Sequence, residues 1–503
     1  MSARLCELDG RRVAQKLRAE ADVVVVGSGP AGATVARHLA GRGVGVLVLE
    51  EGPEVLPEEY PRSAVRAMAA LYRDMGTTIA FGNVSMPYLQ GRVVGGTSVV
   101  NGAISWRFPA EVHAEWVRAD PALGEALRHE AIAAAEERLE ARLEVHPTEP
   151  SVAGAKNLLL GRGAEALGVA HRPIRRNVSG CVGEGACLSG CPHGAKLSMD
   201  RSFLPDAVAS GARIFAGLCV SRVTVERGRA TGVVGRTAAG ARFEVRARRA
   251  VVLAASAIQT PCILLRSGLR HGPVGDGLAA HPGVSVTGRF AEPVRAWRGA
   301  TQGHEVTGYR SEGLKLEALG FDLALLASRV PGVGPDFARR LGELERYAVW
   351  GAAVRAEGRG KVRPGPTRPF VTYSLTPGDV NKVRRGVRRL AEVLLAAGAD
   401  EVYPGVPGFD PVVRAGDRAA LERLEREGSL VASDYAMSMT HLFGTARMGS
   451  DPRRSVVRPD FRHHATSALY VADSSVFPTN LGVNPQIAIM ALAELCAGHV
   501  AQA

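Results

Sequence analysis

Aromatic residues, lysines and long apolar runs are scarce in this sequence, and each shortage excludes a class of protein. Aromatic side chains make up 5% of the 503 residues, too few for the stacking surfaces on which single-stranded nucleic acids bind. The formal net charge is +12, yet only six of the 62 basic residues are lysine, and the arginines are scattered, often beside glutamates. We therefore interpret the positive charge as a solvated, arginine-rich surface and expect no nucleic-acid partner.

The distribution of apolar and basic residues also gives no membrane or secretion signal. No run of 18 apolar residues occurs, so we expect no transmembrane segment. Residues 1–20 carry five basic side chains with no apolar stretch behind them, so we expect no secretory signal. Seven cysteines, an odd number, in a long chain without such a signal favour free thiols and a reducing compartment. The sequence therefore predicts a cytoplasmic protein.

The composition is that of a large globular chain. Apolar residues make up 46% and charged residues 22%, and the length corresponds to roughly three domains at about 150 residues each. A loop rich in glycine and cysteine is predicted at 174–198. The apolar periodicity predicts strands at 22–26, 44–49, 212–224, 231–237, 242–254, 284–290 and 468–472, and helices at 112–145, 378–398, 417–427 and 486–501.

A dinucleotide-binding pattern follows the first predicted strand. Gly27, Gly29 and Gly32 form G-x-G-x-x-G between that strand and a helix, which permits a tight turn, close approach of a pyrophosphate and close helix–strand packing. The helix N-terminus then presents unpaired N–H groups to the diphosphate. Glu50 ends the second strand, where a carboxylate can accept hydrogen bonds from both ribose hydroxyls of an adenosine. We predict a dinucleotide site and favour FAD over NAD.

Four further motifs give the sequence a family resemblance. They are Gly91–Gly102 (GRVVGGTSVVNG), Ala254–Gly268, His441–Gly449 (HLFGTARMG) and Tyr470–Gln486. In this order and spacing, together with the glycine-rich turn, they resemble the glucose–methanol–choline (GMC) oxidoreductase family over about residues 20–500.

The resemblance implies a two-domain α/β flavoprotein that oxidises alcohols. Its expected fold is a discontinuous Rossmann-like FAD-binding domain with an inserted α+β substrate domain. The FAD-binding domain is expected to comprise residues 1–110, 201–285 and 436–503. The substrate domain is expected to comprise 111–200 and 286–435, with a cysteine-rich loop at 180–196.

The resemblance also implies which residues contact FAD. Asp473 is expected near the ribityl chain and diphosphate, although it could instead cap the turn that follows it. Ser256 stands where the family usually has glycine, which costs little if φ at that position is negative. The residues implied beside Gly27, Gly29, Gly32, Glu50 and Asp473 are Gly95, Gly96, Thr97, Asn101, Gly102, Val220, Pro485 and Gln486.

Alcohol oxidation requires a base as well as a flavin, because the hydroxyl proton leaves with the hydride. A histidine with a pKa near neutrality suits that role, and a neutral amide can hold the developing alkoxide. The family motifs place these groups at His441 and Asn484, which we predict as base and orienting residue. His281 is expected to have a structural role, and His463 and His464 are expected at the surface.

The cysteine-rich loop leaves a second interpretation open. Cys181, Cys187 and Cys191 have a spacing that suits a metal or iron–sulfur centre. Some relatives of the family carry such a cluster in a similar loop, but their pattern begins with two adjacent cysteines, and here Val182 follows Cys181. We predict no metal and a structural loop.

The leading hypothesis is an FAD-dependent alcohol oxidase or dehydrogenase. It transfers hydride to flavin N5, and oxygen or an electron carrier reoxidises the flavin. The expected partner is a small alcohol, which scattered apolar residues of the inserted domain suggest is hydrophobic. The alternative is the flavin plus Fe–S catalytic subunit of a membrane-linked dehydrogenase that passes electrons to a partner protein.

Overall fold

The computed structural model describes residues 4–502, except for the side chain of Arg418. Its strands, in chain order, are β1 (Leu8–Asp9), β2 (Leu17–Val26), β3 (Val46–Leu49), β4 (Ile79–Ala80), β5 (Met86–Pro87), β6 (Val145–Pro147), β7 (His171–Pro173), β8 (Arg175–Asn177), β9 (Arg213–Ala216), β10 (Leu218–Glu226), β11 (Arg229–Thr237), β12 (Arg242–Leu253), β13 (Asp276–Phe290), β14 (His304–Val306), β15 (Leu314–Leu319), β16 (Tyr347–Val354), β17 (Arg359–Arg363), β18 (Phe370–Ser374), β19 (Ala399–Tyr403), β20 (Val413–Arg414), β21 (Met437–Phe443) and β22 (Leu469–Val471).

The α-helices surround and connect these strands. In chain order they are α1 (Pro30–Ala40), α2 (Ala64–Leu71), α3 (Ala110–Ala119), α4 (Ala122–Ala126), α5 (His129–Arg142), α6 (Pro150–Ala153), α7 (Ala155–Ala166), α8 (Phe203–Ala209), α9 (Ser256–Arg266), α10 (Leu323–Ala327), α11 (Gly334–Gly342), α12 (Pro377–Ala396), α13 (Arg418–Glu427) and α14 (Gln486–Gln502).

The first large sheet is mainly parallel and has the Rossmann-like order predicted from the sequence. Strands β1, β9, β3, β2 and β12 lie side by side in parallel, and β22 pairs with the end of β12. Strands β11 and β10 extend the edge in antiparallel pairing. Helix α1 packs against α14 and α8. Residues 23–26 of β2 and all of β3 are buried apolar side chains, as is typical of parallel strands buried on both faces.

The second large sheet is antiparallel and is organised around the long strand β13. This strand pairs with β16, β17, β19 and β21, and helix α12 packs across β13 and β16. Residues 276–285 and 437–443, which the predicted boundaries assign to the FAD-binding domain, pair within this sheet. The domain boundaries remain a prediction.

The elements predicted from local sequence patterns are found in the structure, and the differences within them have simple causes. The predicted helix at 112–145 is divided into α3, α4 and α5, because Asp120 precedes a proline and is extended (φ −150°). The predicted strand at 212–224 is divided at Gly217, whose φ is +71°. The predicted loop at 174–198 contains the short strand β8.

One prediction about the surface is wrong. His463 is only 2% exposed, although its sequence neighbours are polar. Its backbone N–H donates to the Leu469 carbonyl at 2.8 Å, so the segment folds back on the strand that follows and carries the ring inward. His464 is partly exposed.

No helix within residues 4–502 combines the length and apolar character needed to cross a lipid bilayer.

Candidate active site

A single cavity joins the glycine-rich turn of the first sheet to strands of the second. Its volume is about 1250 Å³. Most of the residues predicted to bind a cofactor line it, and so do both predicted catalytic residues. The predicted site residues on its wall are Gly27, Gly29, Glu50, Gly96, Thr97, Asn101, Gly102, Val220, His441, Asp473, Asn484, Pro485 and Gln486.

The turn between β2 and α1 has the close packing that its glycines predict. Gly27 has φ +102°, and a Cβ there would lie 2.4 Å from the Ala254 carbonyl oxygen. Gly32 does not line the cavity, but a Cβ on it would lie 1.9 Å from the Gly27 carbonyl oxygen, so it packs the helix onto the turn. No side chain caps the start of α1, which leaves its N-terminus available to an anion.

Glu50 is buried at the end of β3, and its carboxylate holds the glycine-rich turn by hydrogen bonds. Its carboxylate accepts hydrogen bonds from the backbone N–H and the hydroxyl of Ser28 at 3.0 and 2.6 Å, and from the Gly52 N–H at 2.7 Å. Burial raises its pKa, against these hydrogen bonds, which lower it. Glu50 lines the cavity with part of its surface, as a ribose-binding residue would.

The Gly95–Gly96 turn lies directly against the first glycine-rich turn. Gly95 and Gly96 have φ values of +96° and +59°, and a Cβ on Gly96 would lie 2.8 Å from Gly29 Cα. The Gly95 N–H donates to the Ser28 hydroxyl at 3.0 Å, so Gly95 supports the contact from outside the cavity. The two turns together form a narrow backbone cradle that side chains at these glycines would fill.

Asn101 and Gln486 connect this loop to the last helix. The Asn101 amide donates to Gln486 Oε1 at 2.6 Å, and its oxygen accepts from the Ala103 N–H at 2.9 Å. Gly102 lies so close to Gln302 that a Cβ would be 2.1 Å from its amide oxygen. These contacts fix the loop and the start of α14 at one end of the cavity.

Asp473 both lines the cavity and caps its neighbours. Its carboxylate accepts from the N–H of Ser475, the hydroxyl of Thr260 and the N–H of Ser256, at 2.9, 2.6 and 3.0 Å. Ser256 has φ +83°, so the condition under which serine would cost little is not met, and its side chain donates to Gln259 at 2.7 Å. The glycine usual in the family suits this conformation better.

His441 lies at an irregularity in the pairing of β13 with β21. His281 pairs with Thr440 and Ala279 with Phe443, so β21 has one extra residue in this interval. His441 takes up φ +53° there. Such bulges redirect a side chain, and here the redirected ring lines the cavity.

The side chains of Asn484, His281 and Thr440 meet around His441. Its Nε2 lies 3.3 Å from the Asn484 amide nitrogen, and its Nδ1 lies 2.9 Å from His281 Nδ1. The Nε2 of His281 accepts the backbone N–H of Gly482 at 2.9 Å. Burial and the positive charge of Lys315 lower the pKa of His441 to about 3. The ring is therefore neutral at pH 7, and its pKa is lower than the near-neutral value that the sequence analysis favoured.

Lys315 is a functional candidate that the sequence analysis missed. Its buried ammonium donates to the Asn484 amide oxygen and forms ion pairs with Glu317 and, at 3.2 Å, Glu305. Burial lowers its pKa, but the two carboxylates raise it more, so the net shift is upward. The signal was the alternation Leu314-Lys315-Leu316-Glu317, which places a rare lysine and a glutamate on one strand face.

The rest of the cavity wall is largely apolar. Loop residues after β15 and strand residues of the second sheet supply much of it, and the polar residues among them are Ser285, Gln302, Glu317, Asp322, Arg329, Ser438 and Thr440. The apolar residues are Ile104, Val284, Leu319, Phe321, Leu323, Leu325, Met437 and Met439.

The cysteine-rich loop contacts the site through charged groups. Arg176, 1% exposed, donates to the sulfurs of Cys181 and Cys187 at 3.6 and 3.3 Å. The Lys196 ammonium donates to the carbonyls of Val99 and Asn101 at 2.6 and 3.0 Å, which ties this loop to the cofactor-lining loop. In residues 4–502, no three or more His, Cys, Asp or Glu side chains are arranged to hold a metal ion.

The cavity fits FAD on physical grounds. Two glycine turns leave room for a pyrophosphate beside an uncapped helix N-terminus, and Glu50 lies at the ribose position of the dinucleotide pattern. Gly29, Gly96, Thr97, Asn101, Asp473 and Gln486 would hold the cofactor along the cavity.

Relatives align over nearly the whole chain. An uncharacterized GMC-type oxidoreductase of Mycobacterium tuberculosis is 37% identical over 476 residues, which cover 94% of this chain and 74% of that protein. A long-chain-alcohol oxidase of Arabidopsis thaliana is 29% identical, covering 95% and 68%. Paromamine 6'-oxidase of Streptomyces fradiae is 29% identical, covering 95% and 91%.

Solved structures share the fold at lower identity. Pyridoxine 4-oxidase from Mesorbium loti superposes with a TM-score of 0.71 at 18% identity, covering 95% of this chain and 98% of that one. Aspergillus oryzae formate oxidase, studied for modification of its FAD, gives 0.68 at 19% identity, covering 96% and 98%.

Two family models match the chain directly. The N-terminal domain of the GMC oxidoreductases matches residues 21–283, and their C-terminal domain matches residues 356–493. The first match includes both glycine turns, and the second includes His441 and Asn484. The chain therefore belongs to the GMC oxidoreductase family, and its cofactor is FAD.

Proposed function

We propose that this protein oxidises a hydrophobic alcohol to the corresponding carbonyl compound. The bound FAD supplies the hydride acceptor, at flavin N5. His441 takes the hydroxyl proton, and the Asn484 amide holds the substrate oxygen. The observation that carries the proposal is the 3.3 Å approach of His441 Nε2 to Asn484 Nδ2 on the wall of the cavity that the glycine turns also line.

The environment of His441 supports its role as the base. A neutral imidazole can accept a proton on the nitrogen that carries no hydrogen, and burial beside Lys315 keeps the ring neutral in the free protein. Negative charge that develops on the substrate oxygen favours protonation of the adjacent ring. The ring therefore becomes a stronger base as the hydroxyl proton begins to leave, while the Asn484 amide stabilises the alkoxide.

The substrate class is inferred from the wall and from the relatives. Leu319, Phe321 and Met437 are among the apolar groups around the cavity, and burial of apolar substrate surface against them contributes about 25 cal/mol per Å². The names of several relatives identify them as long-chain-alcohol oxidases. Both point to an alcohol with an extended apolar body.

The test is anaerobic reduction of the FAD-loaded protein. A panel of primary and secondary alcohols of increasing chain length is mixed with the protein, and bleaching of the oxidised flavin absorbance is followed. We expect bleaching by at least one apolar alcohol. No bleaching across the panel would contradict the proposal. Readmission of oxygen then separates the two proposed acceptors: rapid return of the absorbance indicates an oxidase, and slow return indicates an electron carrier.

The flavin plus Fe–S subunit remains the alternative function. Its sequence basis is the Cys181, Cys187 and Cys191 spacing, and the Arg176 guanidinium lies on two of these sulfurs. Iron and acid-labile sulfide are measured on anaerobically purified protein. Near-stoichiometric iron and sulfide would favour the alternative, and their absence would favour the alcohol oxidoreductase acting alone. The cytoplasmic location likewise remains a prediction.

A further inference from the structure

The hydrogen bond from Gly482 determines which nitrogen of His281 carries a hydrogen. The backbone N–H of Gly482 points at His281 Nε2 at 2.9 Å, and a backbone N–H can only donate. Nε2 is therefore an acceptor without a hydrogen. A neutral His281 then carries its hydrogen on Nδ1, which lies 2.9 Å from His441 Nδ1.

Both rings are neutral in this setting. Burial lowers the pKa of His281 well below its usual value, and the neighbouring His441 and Lys315 lower it further. Burial and Lys315 lower the pKa of His441 in the same way. His281 thus donates from Nδ1 to Nδ1 of His441, and a neutral His441 must carry its hydrogen on Nε2.

On the other side of His441, Lys315 fixes the orientation of the Asn484 amide. An ammonium can only donate, and it contacts the amide oxygen of Asn484. The amide nitrogen of Asn484 is therefore the atom that faces His441 Nε2, at 3.3 Å. An inverted amide would place two donors together at a buried lysine that Glu305 and Glu317 keep charged.

The row of groups from Gly482 to Asn484 has fewer hydrogen-bond acceptors than contacts. Three contacts run from Gly482 through His281 and His441 to Asn484, and both ends are donors. Two neutral imidazoles supply only two lone pairs, so one of the three contacts must bring two donors together. The His441–Asn484 contact is the longest of the three and opens into the cavity, so the mismatch lies there.

We infer that His281 is a positioning residue that holds the hydrogen of His441 on Nε2, so that His441 and Asn484 direct two N–H donors at one substrate oxygen. The inference rests on the proposed function and refines it. An oxygen without a hydrogen, as in an alkoxide or a carbonyl product, accepts from both donors. The resting site is therefore more complementary to that oxygen than to a neutral hydroxyl.

This arrangement opposes removal of the hydroxyl proton by His441. For Nε2 of His441 to take the hydroxyl proton, its own hydrogen must first leave that nitrogen. Exchange to the alternative pair of tautomers would put the one hydrogen of His441 on Nδ1, donating to His281 Nδ1, and the one hydrogen of His281 on Nε2. His281 then turns an N–H toward the N–H of Gly482, which opposes the exchange. His281 therefore sets the balance between oxygen binding and proton acceptance.

The experiment is nitrogen-15 NMR of the FAD-loaded protein with labelled histidine, without substrate, at pH 7. The His441 signals are assigned by their loss in His441→Gln, and those of His281 by their loss in His281→Phe. We expect a protonated Nε2 and a bare Nδ1 for His441, and the opposite tautomer for His281. A His441 ring protonated on Nδ1 would overturn the inference, and the wild-type spectrum alone can show this.

Substitution of the positioning residue gives the second readout. In His281→Phe, His441 loses the donor at Nδ1, so its Nε2 is free to accept from Asn484 and the tautomer is expected to invert. In Asn484→Leu the donor from His281 remains, and the tautomer is expected to stay as in the wild type. An unchanged His441 tautomer in His281→Phe would contradict the inference. Because no turnover is measured, this outcome is independent of whether the proposed reaction is correct.

Discussion

The ammonium of Lys315 and the amide oxygen of Asn484 are hydrogen-bonded inside the protein, at the far side of Asn484 from His441. Lys315 is 2% exposed and also pairs with two buried carboxylates. A buried charge cluster thus determines the orientation of a neutral amide at the reacting end of the cavity. The amide in turn presents its N–H group, rather than its oxygen, to His441 and the cavity.

Replacing Lys315 by methionine is expected to destabilise the protein by about 3–5 kcal/mol, because removal of one partner leaves buried charges uncompensated. Glu305 keeps Arg172 as a partner, so the main loss falls on Glu317. Chemical denaturation of the FAD-loaded protein measures the change. The control is Lys361→Met, since Lys361 is exposed and lies 3.8 Å from Asp276; it is expected to cost under about 1 kcal/mol. Equal effects of the two substitutions would contradict the role assigned to the cluster.

Replacing His441 by alanine is expected to leave FAD bound and to slow its reduction by an alcohol substrate. General base catalysis contributes about 10²–10⁴-fold, and a loss in that range is expected in the rate constant for anaerobic flavin reduction by stopped flow. The control is His271→Ala, an exposed histidine, which is expected to reduce at the wild-type rate. If His441→Ala is reduced nearly as fast as the wild type, His441 is not the base.

Replacing Gly96 by alanine is expected to weaken FAD binding by about tenfold or more, which corresponds to 1.4 kcal/mol. The new Cβ would lie 2.8 Å from Gly29 Cα, at φ +59°, and would push apart the two turns that form the pyrophosphate cradle. The control is Gly43→Ala, also at positive φ (+76°) but with no atom within 4 Å of the new Cβ. The Gly43→Ala variant carries a similar backbone strain of about 1–2 kcal/mol without narrowing the cavity. Titration of the apoprotein with FAD compares the two, and equal affinities would show that the cradle does not bind the cofactor.

Lowering the pH from 6.5 to 5 is expected to destabilise the protein, partly through His463. Burial and the neighbouring His271 and His464 lower its pKa to about 4, and neither ring nitrogen has a hydrogen-bond partner among residues 4–502. In this window the unfolded chain binds a proton at this histidine and the folded protein does not, so stability falls as the pH falls. One such histidine contributes about 2 kcal/mol over this interval.

The substitution that tests this is His463→Phe, which keeps a buried ring and removes the titration. Denaturation at both pH values is expected to show a pH-dependent loss about 2 kcal/mol smaller than in the wild type. An unchanged pH dependence in His463→Phe would mean that the ring is protonated in the folded state.

Local patterns were sufficient for the parts of the fold that local interactions determine. The β2–α1–β3 unit follows from an apolar run, a glycine turn and a helix start that lie within 30 residues of one another. His441 and Asn484 were identified from motifs and both line the cavity. Their geometry was not predictable, because the bulge that turns His441 depends on β13, which lies about 160 residues earlier in the chain.

Residues that act through distant partners were missed or misjudged. Lys315 acquires its role from Glu305 on β14 and Asn484 before α14, and nothing in its own neighbourhood specifies either contact. His463 is buried by a strand that follows it. His281 was expected to be structural, and only the contacts with Gly482 and His441 show how it bears on the chemistry.

Strands and loops divide the cavity wall between them, and this division affects how the enzyme can diversify. His281 and His441 are held by the ladder between β13 and β21, whereas Leu319 to Leu325 lie at and beyond the end of β15. Replacing the segment from Leu319 to Leu325 by that of a relative can change which ligands fit the cavity, while the two imidazole rings keep their spacing. Substrate selectivity can thus change in evolution without rebuilding the strand pair that holds His281 and His441.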